Sequence, residues 1–279
     1  MRRKQRAMWV FAAELTCILT AQAAEFDCVI EPHVVVNVST AVEEVLKTVH
    51  VEKGDRVTAG QVLATLESDV EKASIELARA RMNMVADLES RNVRLRHSQR
   101  KLTRADELAK KQYISPDERD EAETNKLVAE LDLRQEQENK ELARLDLQRA
   151  VATYEMRTIR SPITGVVVER FLSSGEFAQA KPIVKLAQLD PLKVEAVLPV
   201  TTYNAIKTGM RAEVIPEEPM NQVYPAVVKI VDQVIDAASG TFQVRLELPN
   251  PNYRLPAGLR CKVRFLGLQP QAAPGSALQ

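Results

Sequence analysis

The stretch Glu43–Gly60, EEVLKTVHVEKGDRVTAG, returns later in the chain as Thr164–Lys181, TGVVVERFLSSGEFAQAK. Gly54 aligns with Gly175, an offset of 121 residues. At that offset Val42 meets Ile163, Val45 meets Val166, Val51 meets Leu172, Ala59 meets Ala180 and Val62 meets Ile183. Both copies read as a β-branched strand, a glycine turn flanked by charge, and a further strand. Each is too small to bury a core of its own, so two halves packed face to face should form one small β-sandwich. One difference between the copies bears on backbone geometry. Glu44 stands where the second copy has Gly165, so a turn that needs glycine's freedom would bend differently in the first half.

The segment between the halves has no Gly or Pro from Gln61 to Ser115, and none again from Asp117 to Ser161. It is rich in Ala, Leu, Glu, Lys, Arg and Gln, all strong helix formers. Leu88, Leu95 and Leu102 recur every seven residues, with Val85, Asn92 and Gln99 between them, which predicts a coiled-coil seam with polar interruptions. In the second arm Leu127, Leu131, Leu142 and Leu145 are the expected seam, with Arg134, Gln135 and Glu138 between. The arms break at Tyr113–Pro116. Ser115-Pro116-Asp117-Glu118 reads as a capped helix start, with Pro in the first turn and Glu three residues after Ser. Arms of about 40 residues would project roughly 60 Å at 1.5 Å per residue. The first arm is basic at Arg91, Arg94, Arg96, Arg100, Lys101 and Arg104, and the second is acidic. Pairing across the hairpin is the simple account, each exposed pair being worth under about 1 kcal/mol.

After Ala187 the pattern becomes β. Asp190–Val200, Met210–Ile215, Val223–Val231, Thr241–Leu248 and Leu259–Leu266 read as strands punctuated by prolines, and Asn204–Lys207 as a short helix. The N-terminus has a basic region at Arg2, Arg3, Lys4 and Arg6, an apolar run from Met8 to Thr20, and small residues at Ala21–Ala24. These features predict a cleaved export signal. Export leaves Cys28 and Cys261, either as a disulfide or as two small apolar strand residues.

The chain has 38 basic and 38 acidic residues and 4% aromatics, which favours neither nucleic acid nor a stacking platform as partner. His33, His50 and His97 stand apart, and Met82 and Met84 point to different helix faces. No catalytic constellation and no metal-ligand spacing emerges, so neither enzyme chemistry nor a cofactor is expected. A swinging-arm carrier would need a Lys on a tight turn between the β halves. Here Glu67-Ser68-Asp69 runs directly into a helix that contains Lys72.

This organisation resembles the periplasmic adaptor subunits of tripartite efflux pumps, the membrane fusion proteins of the HlyD and RND-linked type. The carriers of the resemblance are VHVEKGDRVTAGQVLATLE and IRSPITGVVVERFLSSGE in the two halves, LDPLKVEAVLP opening the barrel, and VRLELPNPNYRLPAGLRCKVRF closing it. The fold implied is α+β: a long antiparallel α-helical coiled-coil hairpin inserted in a lipoyl/biotinyl-like β-sandwich, followed by a small β-barrel. The expected parts are a signal peptide over 1–24, the first lipoyl-like half over 25–68, the hairpin over 69–156, the second half over 157–189, the barrel over 190–267 and a disordered tail over 268–279. RND-linked members also carry a membrane-proximal domain built from both termini, for which this chain offers little sequence. The resemblance further implies a periplasmic adaptor, without enzyme activity, between an inner-membrane transporter (RND-type, or alternatively an ABC-type exporter or type I secretion system) and a TolC-like outer-membrane channel. It implies self-association in a ring, commonly hexameric. Many adaptors carry at the hairpin tip an Arg, a Leu four residues on and a Ser seven further, which mesh with the channel. Arg104, Leu108 and Ser115 match those intervals. A structural coiled-coil scaffold without transport is the competing class.

Overall fold

The computed structural model describes residues 24–268 apart from 180 and 221. The expected signal peptide, with Cys17, lies outside the described residues except for Ala24, and so does the expected tail except for Leu268. The chain divides into two units, residues 35–187 and the barrel residues on either side of them.

In the first unit the repeat is expressed as strands. β1 (Glu25–Val38) enters it, followed by β2 (Glu44–Val49), β3 (Arg56–Val57) and β4 (Val62–Leu66). After the helices come β5 (Thr158–Arg160), β6 (Gly165–Arg170), β7 (Phe177–Ala178) and the start of β8 (Val184–Pro199). The halves exchange their short strands: β2 pairs with β7, and β3 with β6. The glycine turns are exchanged in the same way. Gly54 N–H donates to Val167 O at 2.9 Å, and Gly175 N–H donates to Leu46 O at 2.7 Å. Both glycines are left-handed, at φ 96° and 87°, where a side chain would be strained. Leu46, Leu63, Val167, Ile183 and Leu186 fill the shared core. Neither half could bury these residues without the other. Glu44 and Gly165 occupy equivalent strand positions, opposite Ala178 and Val57, and neither takes a left-handed φ. The expected difference in bend is therefore absent, because this position never needed glycine's backbone.

The insert is α1 (Asp69–Met82), α2 (Ala86–Lys110) and α3 (Pro116–Glu155). The first arm is interrupted at Asn83–Val85, a break that the absence of Gly and Pro did not reveal. Both expected seams need correction. Leu88, Leu95 and Leu102 do turn inward, but Arg91, Ser98 and Ala105 alternate with them, while Val85 and Gln99 are exposed. On α3 the inward series is Arg119, Ala122, Lys126, Ala129, Leu133, Glu136, Lys140, Ala143, Leu147, Ala150 and Tyr154, an unbroken alternation of three and four. Leu127, Leu131, Leu142 and Leu145 are exposed by 54, 53, 60 and 45%. The sequence reading followed the largest apolar residues, whereas the close seam of this hairpin selects alanines.

The second unit is a barrel with strand order β1–β12–β9–β10–β11–β8, in which β9 is Arg211–Pro216, β10 Tyr224–Val231, β11 Thr241–Leu248 and β12 Arg260–Phe265. Residues 24–34 belong to this unit, which corrects the assignment of 25–68 as a whole to the sandwich. The expected short helix is a 3-10 turn earlier in the chain, Val200–Ala205. Alternate residues of paired strands meet inside: Leu192 with Leu248, Val194 with Leu246, Ala196 with Val244 and Leu198 with Phe242. β1 meets β12 with Cys28 directly opposite Cys261, and the two form a disulfide with a Cα separation of 4.9 Å. Buried Asn250 fastens the loop before β12. Its amide donates to Leu189 O and Leu255 O, and its carbonyl accepts from Leu255 N–H, each at 2.9 Å.

Candidate functional site

The hairpin tip is built from two helix ends placed back to back. α2 closes with the paired bonds of a left-handed C-terminal cap: Gln112 N–H donates to Ala109 O at 2.9 Å, and Tyr113 N–H to Leu108 O at 3.0 Å. Gln112 holds the left-handed position at φ 60°, where Gly is the usual occupant. α3 opens with a reciprocal cap. Glu118 N–H donates to Ser115 Oγ at 3.2 Å, and Ser115 N–H donates to Glu118 Oε2 at 3.1 Å. Only Ile114 lies between the Ser115 cap and Tyr113. The backbone of the turn is thereby satisfied locally, and the tip side chains are held by a short, well-determined loop.

The arms are also joined across the tip. Arg119 Nε donates to Asp106 Oδ1 at 3.0 Å, and Arg119 Nη1 donates to Glu123 Oε2 at 2.8 Å. The hydrogen bond that Arg119 donates to Asp106 and the charge of Glu123 push the Arg119 pKa above its ordinary value. Further down, Arg91 and Arg94 pair with Asp132. Cross-hairpin pairing thus accounts for Arg91 and Arg94. Among the described residues it leaves Arg96, Arg100, Lys101 and Arg104 without a carboxylate at ion-pair distance.

Arg104 and Leu108 lie one turn apart on α2. Arg104 Nε donates to Arg100 O at 3.3 Å, and its guanidinium faces solvent. Leu108 is 40% exposed. Ser115 sits across the turn with its oxygen engaged in the cap. The turn brings all three to one end of the hairpin. It adds Tyr113, 74% exposed, which the sequence pattern alone did not single out. The tip therefore offers a donor fork, a small apolar knob, an aromatic face and a hydroxyl on a rigid mount. Among the described residues no group of three His, Cys, Asp or Glu could hold a metal ion, and no helix is long and apolar enough to cross a membrane.

Comparison with known proteins agrees with this architecture. Residues 33–187 match the family model described as CzcB-like, barrel-sandwich hybrid domain, and residues 192–269 match the CusB-like, beta-barrel domain. The multidrug resistance protein MdtA of Xenorhabdus bovienii is 28% identical over 226 residues, which is 78% of this chain and 52% of the relative. The solvent efflux pump periplasmic linker SrpA of Pseudomonas putida is 24% identical over 133 residues, 42% of this chain and 35% of the relative. This chain thus spans about half, or less, of the length of these relatives. The crystal structure of MacA from Actinobacillus actinomycetemcomitans shares the fold, with a TM-score of 0.73 at 20% identity, covering 87% of this chain and 78% of that one. With a sandwich of two exchanged halves, a helical hairpin inserted between them and a β-barrel after them, the chain belongs to the membrane fusion protein family of efflux adaptors.

Proposed function

We propose that the protein is a periplasmic adaptor that couples an inner-membrane transporter to an outer-membrane channel of the TolC type. In this reading it carries out no chemistry. Copies stand side by side in a ring, with hairpin tips towards the channel. An RND-type transporter is the favoured partner, because the matched barrel model carries the RND designation. The observation that carries the reading is the tip, where Arg104, Leu108 and Ser115 converge on a turn whose own polar groups are already satisfied. Their remaining donors and apolar surface are free to serve a partner. Arg offers a planar fork of donors suited to carbonyls or carboxylates at a partner helix end.

Arg104→Asp tests the reading. In cells that depend on this protein for export, the variant should lose resistance to exported compounds, while its circular dichroism and melting curve match the unaltered protein. Full resistance with Asp at 104 would refute the tip assignment. Crosslinking from the barrel to inner-membrane proteins, followed by mass spectrometry, identifies the transporter class. Capture of an ABC-type exporter in place of an RND pump would overturn that part.

A further inference from the structure

The break between α1 and α2 opens a groove of about 450 Å³ between the two arms of the hairpin. Small-molecule sites have this size, and helical bundles commonly carry them between their helices. Met82, Val85 and Leu88 form the apolar side, and Asn83 and Gln137 add amides. Methionine suits such a wall, because its unbranched, polarizable side chain adapts to the shape it meets.

The charge around the groove is unbalanced. Glu141 is already engaged by Arg144, whose Nε donates to Oε2 at 2.8 Å and whose Nη2 donates to Oε1 at 2.5 Å. Lys140 also lines the groove, half-buried on the inward series of α3. The other basic residues on the seams of α2 and α3 each have a carboxylate: Arg91 faces Asp132, Arg119 faces Asp106 and Lys126 faces Glu130. Among the described residues Lys140 has no carboxylate at ion-pair distance. A half-withdrawn ammonium beside an apolar wall is better satisfied by an anion than by its present neighbours. The start of α2 favours the same sign. Val85 is its N-cap and offers the first N–H groups no side-chain acceptor. Asp87 and Glu89 of that first turn are not part of the lining.

We propose that the groove binds an amphipathic organic anion, a single carboxylate-type group on an apolar body. The charge sits at Lys140 and the body lies along Met82, Val85 and Leu88. Such a ligand touches both arms and braces the joint of the first arm against α3. α1 has 14 residues, so the groove stands about 20 Å along the hairpin from its base. A dissolved molecule reaches it there, whereas a lipid seated in a bilayer does so only if the hairpin lies along the membrane. The site belongs to a single copy and stands apart from the adaptor role proposed above.

Isothermal titration calorimetry of the full-length protein with sodium decanoate, kept monomeric at neutral pH, tests the proposal. One decanoate per chain should bind, and decyltrimethylammonium should bind more weakly by about tenfold or more. Lys140→Gln should weaken decanoate by a similar factor, and Lys140→Arg should retain it. Lys101→Gln, which removes a charge elsewhere on α2, should change nothing. Val85→Asp is the second variant. Asp is a favoured N-cap, so α2 keeps its start, while the new carboxylate should abolish binding. Bound decanoate should slow hydrogen exchange at the amides of Asn83–Val85, and binding without slowing would overturn the site. No binding, uptake of many decanoates that Lys140→Gln leaves unchanged, or equal affinity for the cation would also overturn it. Sedimentation with phosphatidylcholine vesicles, with and without phosphatidylglycerol, tests the source of the anion. The protein should stay in the supernatant. Pelleting that needs both Lys140 and phosphatidylglycerol would overturn a dissolved ligand in favour of a membrane lipid.

Discussion

Arg157 shows how one side chain holds the base of the hairpin. It follows α3 and donates through Nη1 to Glu44 Oε2 at 3.3 Å and through Nη2 to Glu71, so that β2, α1 and the return of the chain meet at one guanidinium. Its side chain and that of Glu71 are only 15% and 13% exposed. A charge so removed from water is tolerated because both carboxylates face it. This explains why Glu44 stands opposite Gly165 in the repeat: at a position with ordinary strand geometry, the carboxylate partners an arginine 113 residues away in sequence. The substitution was visible in the sequence, but its partner was not, since nothing local links the two positions. Glu71→Ala leaves Arg157 with the longer of its two bonds. It should destabilise the sandwich–hairpin unit by about 2–4 kcal/mol. The loss will be read as a lower denaturation midpoint, with circular dichroism of the folded state unchanged. No loss of stability would mean that water already serves Arg157. The tip shows the same division. Ser115 with Glu118 announced a helix start from spacing alone, whereas the left-handed Gln112 could not be foreseen without the Gly that normally marks such a position.

At the level of elements, the interruption in the first arm has a geometric cause. The inward positions of α1 are Glu71, Ile75, Ala78 and Met82, and continued at the same alternation they would reach Val85, Glu89, Asn92, Arg96 and Gln99. Those residues would seat a glutamate, an arginine and two amides against α3. The observed seam of α2 runs through Leu88, Arg91, Leu95, Ser98, Leu102 and Ala105, one residue out of phase. Asn83–Val85 absorb that one-residue slip, so that the leucines of α2 reach the alanines of α3. The heptad of Leu88, Leu95 and Leu102 was legible. The phase of the residues between them was not, because it depends on where α1 stops. The slip also makes a groove at the break, lined by Met82, Asn83, Val85 and Leu88 on one arm and by Gln137, Lys140, Glu141 and Arg144 on the other. Inserting one alanine between Asn83 and Met84 restores a continuous heptad with the same seam. The amides of the joint should then exchange with solvent as slowly as those of the adjoining turns, and helical signal should rise. If those amides stay fast after insertion, the break has a cause other than phase.

For the whole molecule, the internal repeat was the most legible feature, because its core residues and turn glycines recur at one offset and the structure realises that offset strand for strand. The role of residues 25–34 was the least legible. They read as part of the first half, yet Glu25–Val29 pair with the last strand of the barrel, from which they are separated by most of the chain. Alternation of apolar and polar residues shows that a segment is a strand; it does not name a partner over two hundred residues distant. The cysteines mark that partnership. Cys28 and Cys261 lie 233 positions apart in sequence, and their bond ties the first barrel strand to the last. Such a link acts chiefly by limiting the unfolded chain, and commonly contributes about 2–4 kcal/mol. The two units have separate buried cores, and the disulfide belongs to one of them. Replacing both cysteines by serine should therefore lower the barrel's melting transition by roughly 10 °C or more. The transition of the sandwich and hairpin should stay in place. Differential scanning calorimetry of the two proteins makes the comparison, and dithiothreitol added to the unaltered chain should reproduce the shift. Equal displacement of both transitions would show that the two cores unfold as one cooperative body, with the bond between the outer strands stabilising all of it.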